Sequence, residues 1–271
     1  MAQIPRRIIQ TGKSAQLPLR SRAITSNIKL LNPDFEYLFF DDERVWSFMR
    51  QEFPQHLQMF ESFPYPIQRF DFFRYLAIYR YGGFYFDLDV LLASGLSPLL
   101  QHRCVFPFEA VSLNRFIREH HHMNWELGNY AFGSVAGHPF LEAVIMNCVR
   151  AQKDPAWVKA ILGGFPLPLR KGYNILSTTG PGLVSITFAE HPELAKDITV
   201  LCPGDISDSQ TWNRFGELGV HLGEGSWRSK SWLRRRAENY WETWTSRRLA
   251  KELSRNAKGS ETQPIITRAQ S

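Results

Sequence analysis

Two carboxylates one residue apart, Asp87 and Asp89, close the aromatic run RFDFFRYLAIYRYGGFYFDLDV between Arg69 and Val90. Read as the end of a strand, the run alternates faces, so both carboxylates point one way and Leu88 points into the core. Like charges placed so are costly unless a cation lies between them. A hard divalent ion, Mn²⁺ or Mg²⁺, is the simplest remedy, because it takes carboxylate oxygens and keeps positions open for phosphate oxygens. A lone DxD also fits a polar strand end at a solvated turn. The preceding residues favour chemistry: Asp71 and Arg74 stand at i and i+3 and project from one side of a helix. Such a pair is either a surface ion pair, worth under about 1 kcal/mol, or a clamp for sugar hydroxyls.

The elements that must hold these groups can be read on either side. IPRRIIQ (Ile4 to Gln10) has the β-branched run of a first strand, Leu19 to Leu31 has helical spacing up to Asn32-Pro33, and FEYLFF (Phe35 to Phe40) reads as a second strand. Asp41-Asp42 cap the next helix. Another helix starts near Pro66, buries a stripe of Phe70, Phe73, Ala77 and Tyr81, and stops at Gly82-Gly83, leading into a strand from Phe84 to Val90. Val105 to Phe108 and GNYAFGSV are further strands, Arg118 to Asn129 a loop, and His138-Pro139 the opening of a helix to Arg150. Gly163 to Tyr173 reads as a loop, TTGPGLVSITFAEHP as a helix, DITVLCP as a late strand and VHLGEGSWRS as a last loop. Strand and helix alternate, which predicts an α/β domain with a Rossmann-like, mostly parallel sheet flanked by helices.

The 271 residues, 44% hydrophobic and 14% aromatic, suffice for one sizeable core. Cys104, Cys148 and Cys202 are too few and too scattered for a disulfide framework or a CxxC metal site. The net charge of +6 is local: Arg228 to Lys258 hold ten Lys or Arg against three Glu, a balance of +7 that leaves the rest near −1. The predicted division is a catalytic-sized body over 1–228 and a basic, aromatic, helical tail over 229–271 that becomes disordered after about Asn256. Trp232, Tyr240, Trp241 and Trp244 among Arg234, Arg235, Arg236, Arg247 and Arg248 suit an anionic membrane surface as well as they suit a solvated helix packing its tryptophans on the body. No apolar run is long enough to span a bilayer. The near-neutral body and the absence of a nucleic-acid motif argue against nucleic acid as a partner.

The segment FRYLAIYRYGGFYFDLD resembles the signature of the DXD-containing sugar-binding glycosyltransferase family, which includes fungal initiating α-1,6-mannosyltransferases, inositol-phosphoceramide mannosyltransferases and bacterial capsular or lipopolysaccharide enzymes. IPRRIIQTGKS, YLFFDDE, GNYAFGSVAGHPFL, TTGPGLVS and VHLGEGSW carry the resemblance over about residues 4 to 228, in the family's order.

What the resemblance implies is a GT-A fold, a UDP- or GDP-hexose donor, a glycan or lipid-linked glycan acceptor, Mn²⁺ or Mg²⁺ as cofactor, and retention of anomeric configuration. It implies Asp87 and Asp89 as metal and ribose ligands, and Asp71 and Arg74 as holders of donor hydroxyls. His221, with Glu224 as a competing choice, becomes the third metal ligand; Ser226 and Trp227 contact the diphosphate, and Asn129 and Tyr130 lie near the reacting carbon or the acceptor. Thr179 to Gly182 resembles the family's TGP segment. The chain departs from the family at IQTGK, where Ile9 and Gly12 stand for the usual His and Trp. Many eukaryotic members carry a Golgi membrane anchor; no such segment is legible in this sequence, so the expectation is a cytoplasmic enzyme of bacterial or viral type, peripheral on the inner face of the membrane if the tail binds lipid. The alternative is a non-catalytic carbohydrate- or metal-binding relative.

Overall fold

The computed structural model describes residues 3–223 and 241–251. The chain begins β1 (Arg7–Thr11), α1 (Leu19–Leu31), β2 (Glu36–Phe40), α2 (Asp42–Glu52), α3 (Leu57–Ser62), α4 (Pro66–Tyr81), β3 (Gly83–Phe86) and β4 (Val90–Leu92). It continues with β5 (Cys104–Val111), α5 (Arg115–His120), β6 (Trp125–Leu127), β7 (Ala131–Ser134), α6 (Pro139–Lys153), α7 (Pro155–Gly163), α8 (Arg170–Thr178), α9 (Pro181–Glu190), β8 (Ile198–Leu201) and β9 (Gly219–His221).

Seven strands form one sheet in the order β2-β1-β3-β7-β5-β6, with β8 also paired to β5. β1 is parallel to β2 and β3, and β8 is parallel to β5. β7, between β3 and β5, and β6, on β5, run antiparallel to their neighbours. Five of the seven therefore share a direction, as the α/β pattern predicts. Both faces are covered: Ile8, Phe84 and Phe86 pack in the core that holds α1, and Ile9 and Tyr85 in the core that holds α2, α4 and α6. That double cover is why these strands read as unbroken apolar runs.

α4 differs from the predicted stripe, because Phe72, Phe73, Tyr75, Leu76, Ala77 and Ile78 are all buried while Phe70 and Tyr81 are only half-buried. It lies against β1, β3 and β7 and against α6 and α8, so its middle is enclosed and only Pro66 and Arg80, near its ends, are exposed. It ends as predicted. Gly82 and Gly83 take φ of 65° and 103°, and a Cβ on Gly83 would lie 2.6 Å from the Arg7 carbonyl oxygen, so the turn into β3 requires glycine.

Four expectations about loops and strands are corrected, the first being that Val220 and His221, expected in a last loop, end β9, because they pair with Leu91 and Val90 of β4. The strand predicted from Phe84 to Val90 stops at Phe86, and Asp87 to Asp89 form a turn before β4. Arg118 to Asn129 contains the end of α5 and all of β6, because Trp125 and Leu127 find partners on β5 that a polar-looking sequence does not advertise. Gly163 to Tyr173 includes a 3₁₀ turn and the start of α8. The residues at 241–251 form a helix that sits on the body: Ala250 joins Phe108, Val111 and Trp212 in a small core, and the Tyr173 hydroxyl donates to Glu242 Oε1 at 2.5 Å. Trp232, Arg234, Arg235, Arg236, Tyr240 and the stretch after Asn256 lie outside the described residues. Among the described residues, no helix is long and apolar enough to cross a membrane.

A candidate active site at the Asp-Leu-Asp turn

The turn is fixed from four sides. The Asp87 amide donates to the Tyr130 carbonyl at 2.7 Å and the Val90 amide to the Asp87 carbonyl at 3.2 Å. Gln10 Nε2 donates to the same carbonyl at 3.3 Å, while Gln10 Oε1 accepts from Tyr37 at 2.9 Å and Thr25 at 3.1 Å. The Leu222 amide donates to the Asp89 carbonyl at 2.9 Å. Asp87 and Asp89 do face one cleft, but through this turn rather than through strand alternation, and Leu88 lines the cleft instead of entering the core.

Arg74 organises the acidic side of the site. Its guanidinium makes a forked ion pair with Asp87 at 3.2 and 3.3 Å, reaches Asp71 Oδ1 at 3.1 Å, and donates to the Asn129 carbonyl at 2.8 Å. Burial works against its charge, yet the surrounding Asp87, Tyr85 and Asp71 more than offset that and raise its affinity for the proton. Asp71, 5% exposed, accepts from Thr179 Oγ1 at 2.9 Å and from Asn129 Nδ2 at 3.3 Å. Burial pushes its carboxyl up to about 6 despite the opposing pull of Arg74. The Tyr85 hydroxyl donates to Asp87 Oδ1 at 2.8 Å, and Asn129 Nδ2 donates to Tyr75, whose hydroxyl donates to the Thr179 carbonyl at 2.7 Å. Such a closed network holds its members in one geometry.

The third group arrives from far along the chain. Antiparallel pairing of β4 with β9 sets Val90 opposite His221, and His221 Nε2 lies 3.3 Å from Asp89. Its ring stacks on Tyr130 with centroids 4.3 Å apart and an angle of 14°. Burial disfavours the imidazolium, but the hydrogen bond and charge of Asp89, backed by Glu109 and Asp87, outweigh it and raise the His221 pKa.

Asp87, Asp89 and His221 each offer a ligand atom within 4.8 Å of the others. Two carboxylates and an imidazole suit a divalent ion of the Mn²⁺ or Mg²⁺ type. Counted as ionised, Asp71, Asp87 and Asp89 give −3 and Arg74 +1, so with neutral His221 the cluster carries −2, which one divalent ion cancels. The residues present therefore fit the metal. Glu224, Ser226 and Trp227 lie outside the described residues.

The cleft around the turn has a volume of about 700 Å³ and is walled on its far side by Lys13, Ser14 and Gln16 of the β1–α1 connection. Gly12 opens that connection. A Cβ there would come within 3.0 Å of the side-chain tips of Leu88 and Phe39, so any larger residue at this position would require both tips to shift. Sequence reasoning missed Gln10, Tyr75, Tyr85 and Glu109. Tyr85 had a readable signal, a polar-tipped ring two residues before Asp87; the others are defined only by what packs around them.

Residues 18–106 match the family described as glycosyltransferase sugar-binding region containing DXD motif, and the matched span holds Asp71, Arg74, Asp87 and Asp89. Residues 18–106 belong to that family. Relatives of this DXD segment include inositol phosphoceramide mannosyltransferase 3 of Schizosaccharomyces pombe, 34% identical over 149 residues, covering 55% of this chain and 38% of the relative. Mannosyl phosphorylinositol ceramide synthase SUR1 of Saccharomyces cerevisiae is 30% identical over 190 residues, 69% of this chain and 42% of the relative. The chain thus spans about two fifths of these relatives. Among solved structures, the PaToxG glycosyltransferase superposes with a TM-score of 0.50 at 14% identity, covering 71% of this chain and 72% of that one. The likeness shows the GT-A fold.

Proposed function

We propose that this protein is a metal-dependent, retaining glycosyltransferase that moves a hexose from a nucleoside-diphosphate sugar to a hydroxyl of a glycan or glycolipid acceptor. The observation that carries the reading is the meeting of Asp71, Arg74, Asp87, Asp89 and His221 in one cleft, although the last two lie 132 positions apart in the chain. Mannosyl transfer to a phosphoinositol-type lipid is supported by the names of the relatives at 30–34% identity.

Asp87, Asp89 and His221 would hold the divalent ion, which would supply positive charge against that developing on a departing diphosphate. Asp71 orients donor hydroxyls: Thr179 and Asn129 fix its oxygens before the sugar arrives, so little ordering remains to be done at binding. Arg74 keeps Asp71 and Asp87 at their spacing. The acceptor oxygen bonds the anomeric carbon from the face the phosphate leaves, and its proton passes to the departing phosphate oxygen. A covalent glycosyl adduct accumulating on Asp71 or Glu109 would contradict this route. Exposed Trp244, with Arg248 stacked over its ring at 5.3 Å, supports the membrane-facing reading of the tail; vesicle binding that survives removal of the tail would end it.

The test is release of UDP or GDP from a panel of nucleotide sugars with Mn²⁺ or with chelator. Turnover of one donor, abolished by chelator and reduced at least about 100-fold in Asp89→Asn, is expected. Absence of both turnover and metal-dependent nucleotide binding would favour a non-catalytic relative.

A further inference from the structure

Behind Glu109 lies a second cavity, of about 390 Å³, which shares Glu109, Leu176, Pro181 and Asn213 with the cleft. Carboxylates from three separate elements line it: Glu109 on β5, Glu126 on β6 and Glu242 on the helix at 241–251. Phe165, Tyr173 and Trp212 supply apolar ring surface on the same walls. Glu242 is committed to Tyr173. Glu126 is half-buried; its Oε1 accepts from Ser112 Oγ at 2.7 Å, and its Oε2 takes no hydrogen bond among the described residues. Burial, with the nearby charge of Glu109 adding to it, pushes the Glu126 carboxyl up to about 7. A carboxylate held at that cost beside ring surface, in a cavity joined to the cleft, calls for a hydroxyl-rich partner.

We propose that this second cavity receives the acceptor, a polyhydroxylated ring of the sugar or cyclitol type, with Glu126 and Glu109 accepting hydrogen bonds from its hydroxyls and its reacting hydroxyl passing Glu109 into the cleft. The proposal rests on the reading of the cleft as the donor site. The new bond joins the acceptor oxygen to the anomeric carbon, the bond from that carbon to the diphosphate oxygen breaks, and the hydroxyl proton leaves with the diphosphate. The helix at 241–251 forms one wall through Glu242, Thr243 and Ser246, which makes part of the basic tail a component of the acceptor site.

Saturation-transfer NMR on the full chain, with saturating nucleotide and Mn²⁺, tests this using methyl α-mannopyranoside and myo-inositol as probes at pH 8, where Glu126 is ionised. Binding of one probe is expected, and which one binds distinguishes a sugar from a cyclitol. Its affinity should fall about tenfold or more in Glu126→Gln, through loss of a charge-assisted hydrogen bond. Ser246→Trp, which narrows the cavity from the helix and leaves Glu109 and Glu126 unsubstituted, should do the same. Nucleotide signals report the donor cleft separately, so their absence in the wild type counts against the donor reading alone. Absence of binding by both probes, or binding within twofold of wild type in both variants, would overturn the acceptor assignment.

Discussion

Replacing Asp71 with Asn separates what the fold prefers from what the site needs. The carboxyl is buried against Thr179, Asn129 and Arg74, and its pKa stands at about 6 against an ordinary 3.8. A shift of that size makes the ionised form about 3 kcal/mol less favourable in the folded chain than in the unfolded one. Because the folded pKa is the higher, protonated Asp71 contributes stability that is complete below about pH 4 and lost as pH rises through 6. The substituted amide stays uncharged at every pH. Asp71→Asn should therefore stabilise the protein at pH 7.5, by up to about 3 kcal/mol less what Arg74 loses with its partner. The gain should shrink to about half at pH 5 and vanish near pH 4. Donor turnover should fall at the same time, because an amide cannot offer two charged acceptors to the sugar. Urea unfolding of both proteins at the three pH values, beside donor hydrolysis at pH 7.5, gives the comparison. A variant destabilised by more than about 1 kcal/mol at pH 7.5, or a difference independent of pH, would refute the reasoning.

His138 caps α6 by accepting from the Phe140 amide at 3.2 Å, and burial holds its pKa down at about 4. The unfolded chain binds the proton first as pH falls, so stability should drop between pH 6.5 and 4, by no more than about 2–3 kcal/mol; His138→Asn, which keeps a capping side chain, should flatten that slope in urea titrations. Gly133 pairs with Phe84 across β7 and β3, and a Cβ on it would come within 2.3 Å of the ring. Gly133→Ala should cost about 1–3 kcal/mol in thermal or urea unfolding, and an unchanged midpoint would count against the strand register. Removing the residues after 240 uncovers Phe108, Val111 and Trp212 and should lower the unfolding midpoint and increase dye binding to exposed apolar surface.

Local grammar made much of this legible. Leu19 to Leu31, the Asp41 cap, the Pro66 start and the Gly82-Gly83 stop each depend on a few adjacent residues, and each stands where the sequence puts it. Strand alternation could not show where β3 ends, because Phe86 and Val90 are separated by a turn whose hydrogen bonds come from Gln10 and Tyr130. The supports of the site were hidden for the same reason. Tyr75, Thr179 and Asn129 are polar groups inside a core, and only the folded chain names their partners. β6 and α8 escaped because Trp125 packs on Phe108 and Tyr173 bonds Glu242, partners far along the chain that their own periodicity does not show.

The two-stranded ribbon of β4 and β9 acts as a length gauge. Leu92 faces Gly219, Leu91 faces Val220 and Val90 faces His221. The hairpin feeding β9 is itself locked, with the Phe215 amide on the Gly219 carbonyl and the His221 amide on the Asn213 carbonyl. A slip of one residue would turn the imidazole to the opposite side of the ribbon and bring Val220 or Leu222 opposite Val90. Insertions in surface loops between residues 93 and 212 leave that count untouched. One residue gained or lost between Asn213 and His221 would instead separate the histidine from both aspartates, which makes these nine positions the least length-tolerant part of the site.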